Sequence, residues 1–201
     1  RSFLIPVALM AFAGVASGYY HFLRFPTRAG GTAIPEKYDV AALPNKTLRF
    51  YIAETGPARL NTDDTFAAVV SQIKLAAKVW NDVDTSDVRL QFGGLINPDA
   101  PQSAAGIDVV FDDDLPPGVI AQGGLITVDA SSVGPNSTFV PAVRSKVRLR
   151  RDLTRVPLQG GASLNLDTFD ESFFLTLVHE FGHALGLQHT LTSSVMSTSV
   201  T

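Results

Sequence analysis

His179-Glu180-Phe181-Gly182-His183-Ala184-Leu185-Gly186-Leu187-Gln188-His189 sets three imidazoles and one carboxylate at the spacing that a catalytic zinc ion requires. On a helix, residues four apart share a face, so His179 and His183 point ring nitrogens at one metal about 2.0 to 2.1 Å away. Glu180 is rotated by roughly a quarter-turn or more from His179 at 3.6 residues per turn. Its carboxylate therefore lies beside the metal, suited to act as a general base on water rather than as a ligand. Gly186 can adopt positive φ at a helix C-terminus and turn the chain sharply, which lets His189 swing back as third ligand. Three neutral ligands leave the fourth tetrahedral position open, as in catalytic zinc, whereas structural sites are closed by four ligands that usually include Cys. The chain has no Cys. Of its four histidines only His21 lies outside the string, and it reads as a surface residue near a processed N-terminus.

The surrounding pattern supplies a support for this string. Thr168-Phe169-Asp170-Glu171 has the form of a capping box, so a helix is expected from Thr168 to Gly186. Phe174, Val178, Phe181 and Leu185 recur along one side of it and would bury its back. Upstream, Leu48 to Ala53 reads as a strand. A helix capped by Asn61 or Thr62 then runs to Asn81, with Phe66, Val69, Val70, Ile73, Ala77 and Trp80 as its core stripe. Val88 to Phe92, Ile107 to Phe111, Leu125 to Val128 and Val147 to Leu149 are further short runs bounded by Gly, Pro and Asp. Together they predict an α+β domain with a sheet of about five strands.

The string is similar to the zinc-binding signature of the metzincin metallopeptidases, and Met196 in Ser194-Val195-Met196-Ser197 fits their Met-turn. Within that clan it most resembles the matrixins, matched by Gly182, Leu185 and Leu187 as well as by the three histidines. The resemblance implies a zincin fold: a mixed twisted sheet, two long helices, and a small C-terminal subdomain carrying His189 and the Met-turn. It also implies a zinc endopeptidase in which His179, His183 and His189 bind zinc, Glu180 is general base and acid, and Met196 lies beneath the metal. One zinc is expected rather than two, because only His21 remains for a second site. No cysteine is present to cap the zinc from a propeptide, Thr198 stands where some metzincins place a Tyr, and Thr190 follows the third ligand where many matrixins have Ser.

With 201 residues, 45% hydrophobic and 17% charged, and a net charge of −3, the chain is expected to bury a sizeable core and gives no sign of binding nucleic acid. Phe3 to Ala16 is apolar and ends in small residues, so residues 1–17 read as a signal peptide or, failing cleavage, an N-terminal anchor. Residues 18–45 then form a lead-in, and residues 46–201 the catalytic domain, expected to continue beyond the Met-turn. The implied setting is secreted or extracellular, or the bacterial periplasm or cell surface, with no stable membrane insertion after processing and with protein or peptide substrates. Arg144, Lys146, Arg148, Arg150, Arg151 and Arg155 alternate partly with Val147 and Leu149, as on the wet face of an edge strand. Asp112-Asp113-Asp114 offers oxygens that calcium favours, but a solvated turn is the simpler reading. Gly123-Gly124 marks a turn, and by the resemblance the strand after it faces the substrate cleft. Two other functions fit the same residues: a non-catalytic zinc-binding structural or adhesive module, and a zinc hydrolase of a non-peptide amide.

Overall fold

Leu48, Phe50 and Ile52 alternate with Arg49 and Tyr51 in the first long strand, and this two-residue period divides the sheet into a helix-covered face and an opposite face. The computed structural model describes residues 21–25, 32–100, 104–129, 132–134, 136–190 and 194–197. The expected leader, residues 1–17, lies outside these, as does Thr198. The elements run β1 (Leu23–Arg24), β2 (Ile34–Lys37), β3 (Thr47–Ala53), α1 (Phe66–Asn81), β4 (Arg89–Ile96), β5 (Gly106–Asp112) and β6 (Ala121–Thr127). They continue with β7 (Val140–Arg150), β8 (Arg155–Pro157), β9 (Ser163–Asn165) and α2 (Glu171–Ala184).

Among the described residues the main sheet has seven strands in the order β1-β2-β7-β5-β3-β4, with β6 antiparallel on β7, while β8 and β9 pair apart from it. Strands β3, β4, β5 and β7 are mutually parallel. The five strands legible in the sequence are all present, and β1 and β2 from the lead-in raise the number to seven. Gly123-Gly124 is not a turn but lies inside β6.

Both helices begin later than their apparent caps. The Asn61 amide donates to the Leu166 carbonyl at 2.8 Å, and the Thr65 hydroxyl caps α1 by accepting the Ala68 N–H at 3.1 Å. Thr168 is likewise committed elsewhere, since its hydroxyl donates to the Asp64 carboxylate. Asp170 therefore becomes the N-cap of α2, accepting the Ser172 N–H at 3.1 Å. The deepest row of α2 is Phe173, Leu177 and Phe181, each fully buried, while Phe174 and Leu185 are only partly so. Burying each such side chain is worth about 1.5–3 kcal/mol. They meet Phe50, Leu48 and Ile52 from β3, Val147 and Leu149 from β7, and Ile73 and Trp80 from α1 in one core.

The basic run does not lie on an edge strand. β7 is paired along residues 145–149 to β5 on one side and β6 on the other. Its alternation belongs to an interior strand: Ser145, Val147 and Leu149 face the helices, and the arginines occupy the opposite face. Arg144 is 8% exposed and grips Asp108 with two donors, Nε to Oδ2 at 2.5 Å, while Nη1 donates to the Ala104 carbonyl at 2.6 Å. Arg150 is buried too, donating to the carbonyls of Val119, Leu115 and Pro116. Among the described residues no helix is long and apolar enough to cross a membrane.

Candidate active site

The end of α2 builds the centre. Gly186 has φ +99°, and the Leu187 N–H returns to the Gly182 carbonyl at 3.0 Å while the Gly186 N–H reaches the His183 carbonyl at 3.0 Å. This is a Schellman closure with glycine in the left-handed position. A side chain at Gly186 would be strained by φ and would also meet the Glu36 carbonyl at 2.9 Å, a close approach that the sequence did not reveal. The reversed chain brings His189 Nε2 to 3.2 Å from His179 Nε2 and 3.1 Å from His183 Nε2.

The outward nitrogens of two of these rings fix their tautomers. His179 Nδ1 lies 2.6 Å from the Val195 carbonyl and His183 Nδ1 lies 2.7 Å from the Leu187 carbonyl. A carbonyl only accepts, so both Nδ1 atoms carry the proton and both Nε2 atoms present lone pairs. Two nitrogens each about 2.0–2.1 Å from one tetrahedral metal stand roughly 3.3–3.4 Å apart. The observed spacings therefore fit a cation at the centre of the three rings. Burial lowers the pKa of His179 and pushes that of His183 down to about 4, which keeps both rings in the neutral, ligating form. Among the described residues these three histidines are the group able to hold a metal ion.

Glu180 lies next to the cluster and is only 8% exposed. Burial pushes its carboxyl up to about 7, against the opposing effect of the Gly123 N–H that it accepts. That donor comes from β6, which crosses α2 so closely that a Cβ at Gly123 would collide with the Glu180 main chain and approach His183 Cβ to 3.1 Å. The glycine is therefore needed for contact between strand and helix rather than for a turn.

Met196 is fully buried. A Cβ at Gly182 would strike its sulfur and would come within 2.8 Å of Trp80 Cζ2, so the helix is notched at Gly182 to admit both side chains. Trp80 is itself positioned by a 2.9 Å bond from its indole N–H to the Val178 carbonyl. The Thr190 N–H donates to the Met196 carbonyl at 2.8 Å, tying the turn around Met196 to the residue after His189.

The structure thus gathers His179, His183, His189, Glu180, Gly186 and Met196 at one place. The Asp112 carboxylate accepts from Arg148 Nε at 2.9 Å and from the Asp114 N–H at 2.9 Å, and Asp113 lies 3.6 Å from Arg151, so these two acidic side chains are engaged by arginines. His21 is not a free surface residue: its Nδ1 lies 3.2 Å from the Gly186 carbonyl. Neither this contact nor the Gly123 N–H has a sequence signal, because each depends on which strand lands on the helix end.

A three-imidazole centre with a neighbouring buried carboxylate, carried by a helix under an antiparallel strand and closed below by a methionine, defines a zinc metallopeptidase of the metzincin kind. The matrixin family model matches residues 44–201. The chain belongs to the matrixin family, and its activity is that of a zinc metalloendopeptidase acting on protein or peptide substrates. No individual curated protein matches it.

Proposed function

We propose that this matrixin is a secreted enzyme that hydrolyses internal peptide bonds, with His179, His183 and His189 as the zinc ligands and Glu180 as the group that carries the proton. What supports the Glu180 assignment is its place on the helix directly after His179, as a buried carboxylate held by the Gly123 N–H, with burial pushing it up to about 7. A group poised near the working pH can both take and return a proton. Zinc, when bound here, acidifies water and polarises the scissile carbonyl. Glu180 accepts the proton of the attacking water and delivers it to the departing amine. The carbonyls of Val195 and Leu187 hold the His179 and His183 rings in the orientation and tautomer that leave Nε2 free.

Among the described residues β6 pairs only with β7, so its other edge has no strand partner, although its Gly123 N–H is engaged by Glu180. An extended substrate adding to that edge would bring an internal peptide bond towards the three rings. Secretion is supported by the leader-like run from Phe3 to Ala16.

The test compares Glu180→Gln with His183→Ala, using casein cleavage and elemental zinc content. Glu180→Gln should keep its zinc and lose cleavage by at least about a hundredfold, the scale of general-base catalysis. His183→Ala should lose both. Cleavage surviving in Glu180→Gln would refute the assigned base, and cleavage of small acylated amides but not casein would refute the peptide substrate.

A further inference from the structure

The segment His21 to Arg24 precedes the region matched by the matrixin family, yet it packs directly on the zinc-binding turn. The Phe22 ring lies 5.9 Å from the His183 ring, centroid to centroid, inclined at 54°. The Phe22 N–H donates to the Gly186 carbonyl at 3.2 Å, and His21 and Leu187 form an antiparallel bridge. The Phe22 carbonyl accepts the Glu36 N–H at 2.7 Å, and Arg24 pairs with the Glu36 carboxylate. Glu36 sits in β2, which is paired to the start of β7. The main chain of Phe22 is thus fastened on one side to the turn and on the other to the sheet.

Leu187 is the residue whose carbonyl fixes the His183 tautomer. Phe22 therefore bears on this imidazole in two ways: its ring packs against His183, and its strand restrains the Gly186-Leu187 peptide that orients the outer nitrogen of that ring. We propose that Phe22 is a positioning residue for the zinc centre, setting the angle at which His183 Nε2 meets the metal. This inference rests on His183 being a ligand, as proposed above. It goes beyond that reading because it gives the stretch upstream of the matched domain a role in metal binding. Residues that orient a metal-ligating histidine typically alter metal affinity by about 10- to 100-fold when they are changed.

The test uses the full chain with Phe22→Ala, Phe22→Leu, Phe22→Tyr and, as control, Leu23→Ala, whose parent side chain is 60% exposed. Zinc dissociation constants are measured by competition with a chelator. The visible absorption bands of the cobalt-loaded proteins are recorded alongside, since they respond to ligand angle. Phe22→Ala should weaken zinc binding by about 10- to 100-fold and shift the cobalt bands. Phe22→Tyr, which keeps the ring, should restore wild-type affinity and bands. Phe22→Leu keeps the apolar bulk and so protects folding should Phe22→Ala not fold; it should still shift the cobalt bands. Leu23→Ala should match wild type. Wild-type zinc affinity and unshifted bands in Phe22→Leu or in folded Phe22→Ala would overturn the positioning role, as would a loss in Phe22→Tyr as large as in Phe22→Leu. Failure of the wild-type chain itself to bind zinc would instead strike the ligand assignment.

Discussion

Replacing Asp108 with Asn tests whether β7 is an interior strand whose arginines are buried. Asp108 and Arg144 have side chains each 10% exposed, and the guanidinium is held by both carboxylate oxygens, by the Ala104 carbonyl and against the Tyr51 ring at 5.6 Å. Asn keeps the shape but removes the charge, leaving a guanidinium that water scarcely reaches. Breaking a buried pair in this way costs about 3–5 kcal/mol, whereas an exposed pair is worth about 0–1 kcal/mol. Against the roughly 5–15 kcal/mol that holds a domain together, the first figure removes about a fifth or more of the margin. Urea unfolding of the zinc-loaded protein measures it, with Arg144→Met and the double variant Asp108→Asn/Arg144→Met completing a cycle. The double variant, with neither charge left buried, should be less damaged than Asp108→Asn alone. A cost below about 1 kcal/mol for Asp108→Asn would refute the interior placement and restore the edge-strand reading.

Gly182→Ala should force Met196 and Trp80 out of the notch, at about 1–3 kcal/mol of stability, and should release zinc to a chelator faster than wild type does; an unchanged release rate would count against Met196 as a support of the site. The Asp112 carboxyl is held below its usual range by the Asp114 N–H and by Arg148. Because the folded value is depressed, its stabilisation is present above the ordinary carboxylate pKa near 3.8 and disappears as the pH falls below it. Asp112→Asn should therefore narrow the stability difference between pH 7 and pH 3, as read by urea midpoints at the two pH values, and an equal difference in both proteins would refute the assignment.

The centre was legible because its chemistry is local. A four-residue interval on one helix and a glycine that must take positive φ are written in consecutive positions, and Gly186 does adopt φ +99°. The five main strands were legible from their apolar runs for the same reason. Elsewhere, long-range partners decided the outcome. Asn61 and Thr168 have the right chemistry to cap helices, but Leu166 and Asp64 claim their side chains, so Thr65 and Asp170 take over. The arginines of β7 alternate as a wet edge would, and only the pairing of β5 and β6 on both flanks, with Asp108 opposite Arg144, makes the strand internal. Gly123 resembles a turn residue until helix α2 is placed beneath it.

The notch at Gly182 also bears on chemical durability. A thioether is readily converted to a sulfoxide, which adds a polar oxygen to the sulfur. Met196 is wholly enclosed, with its sulfur in the space that a Cβ at Gly182 would otherwise fill. Peroxide therefore reaches that sulfur only when the helix and the turn beneath it part, and the oxygen added would prevent them from closing again. The rate at which peroxide oxidises Met196 is thus limited by how rarely that seam opens, and would report on breathing of the fold.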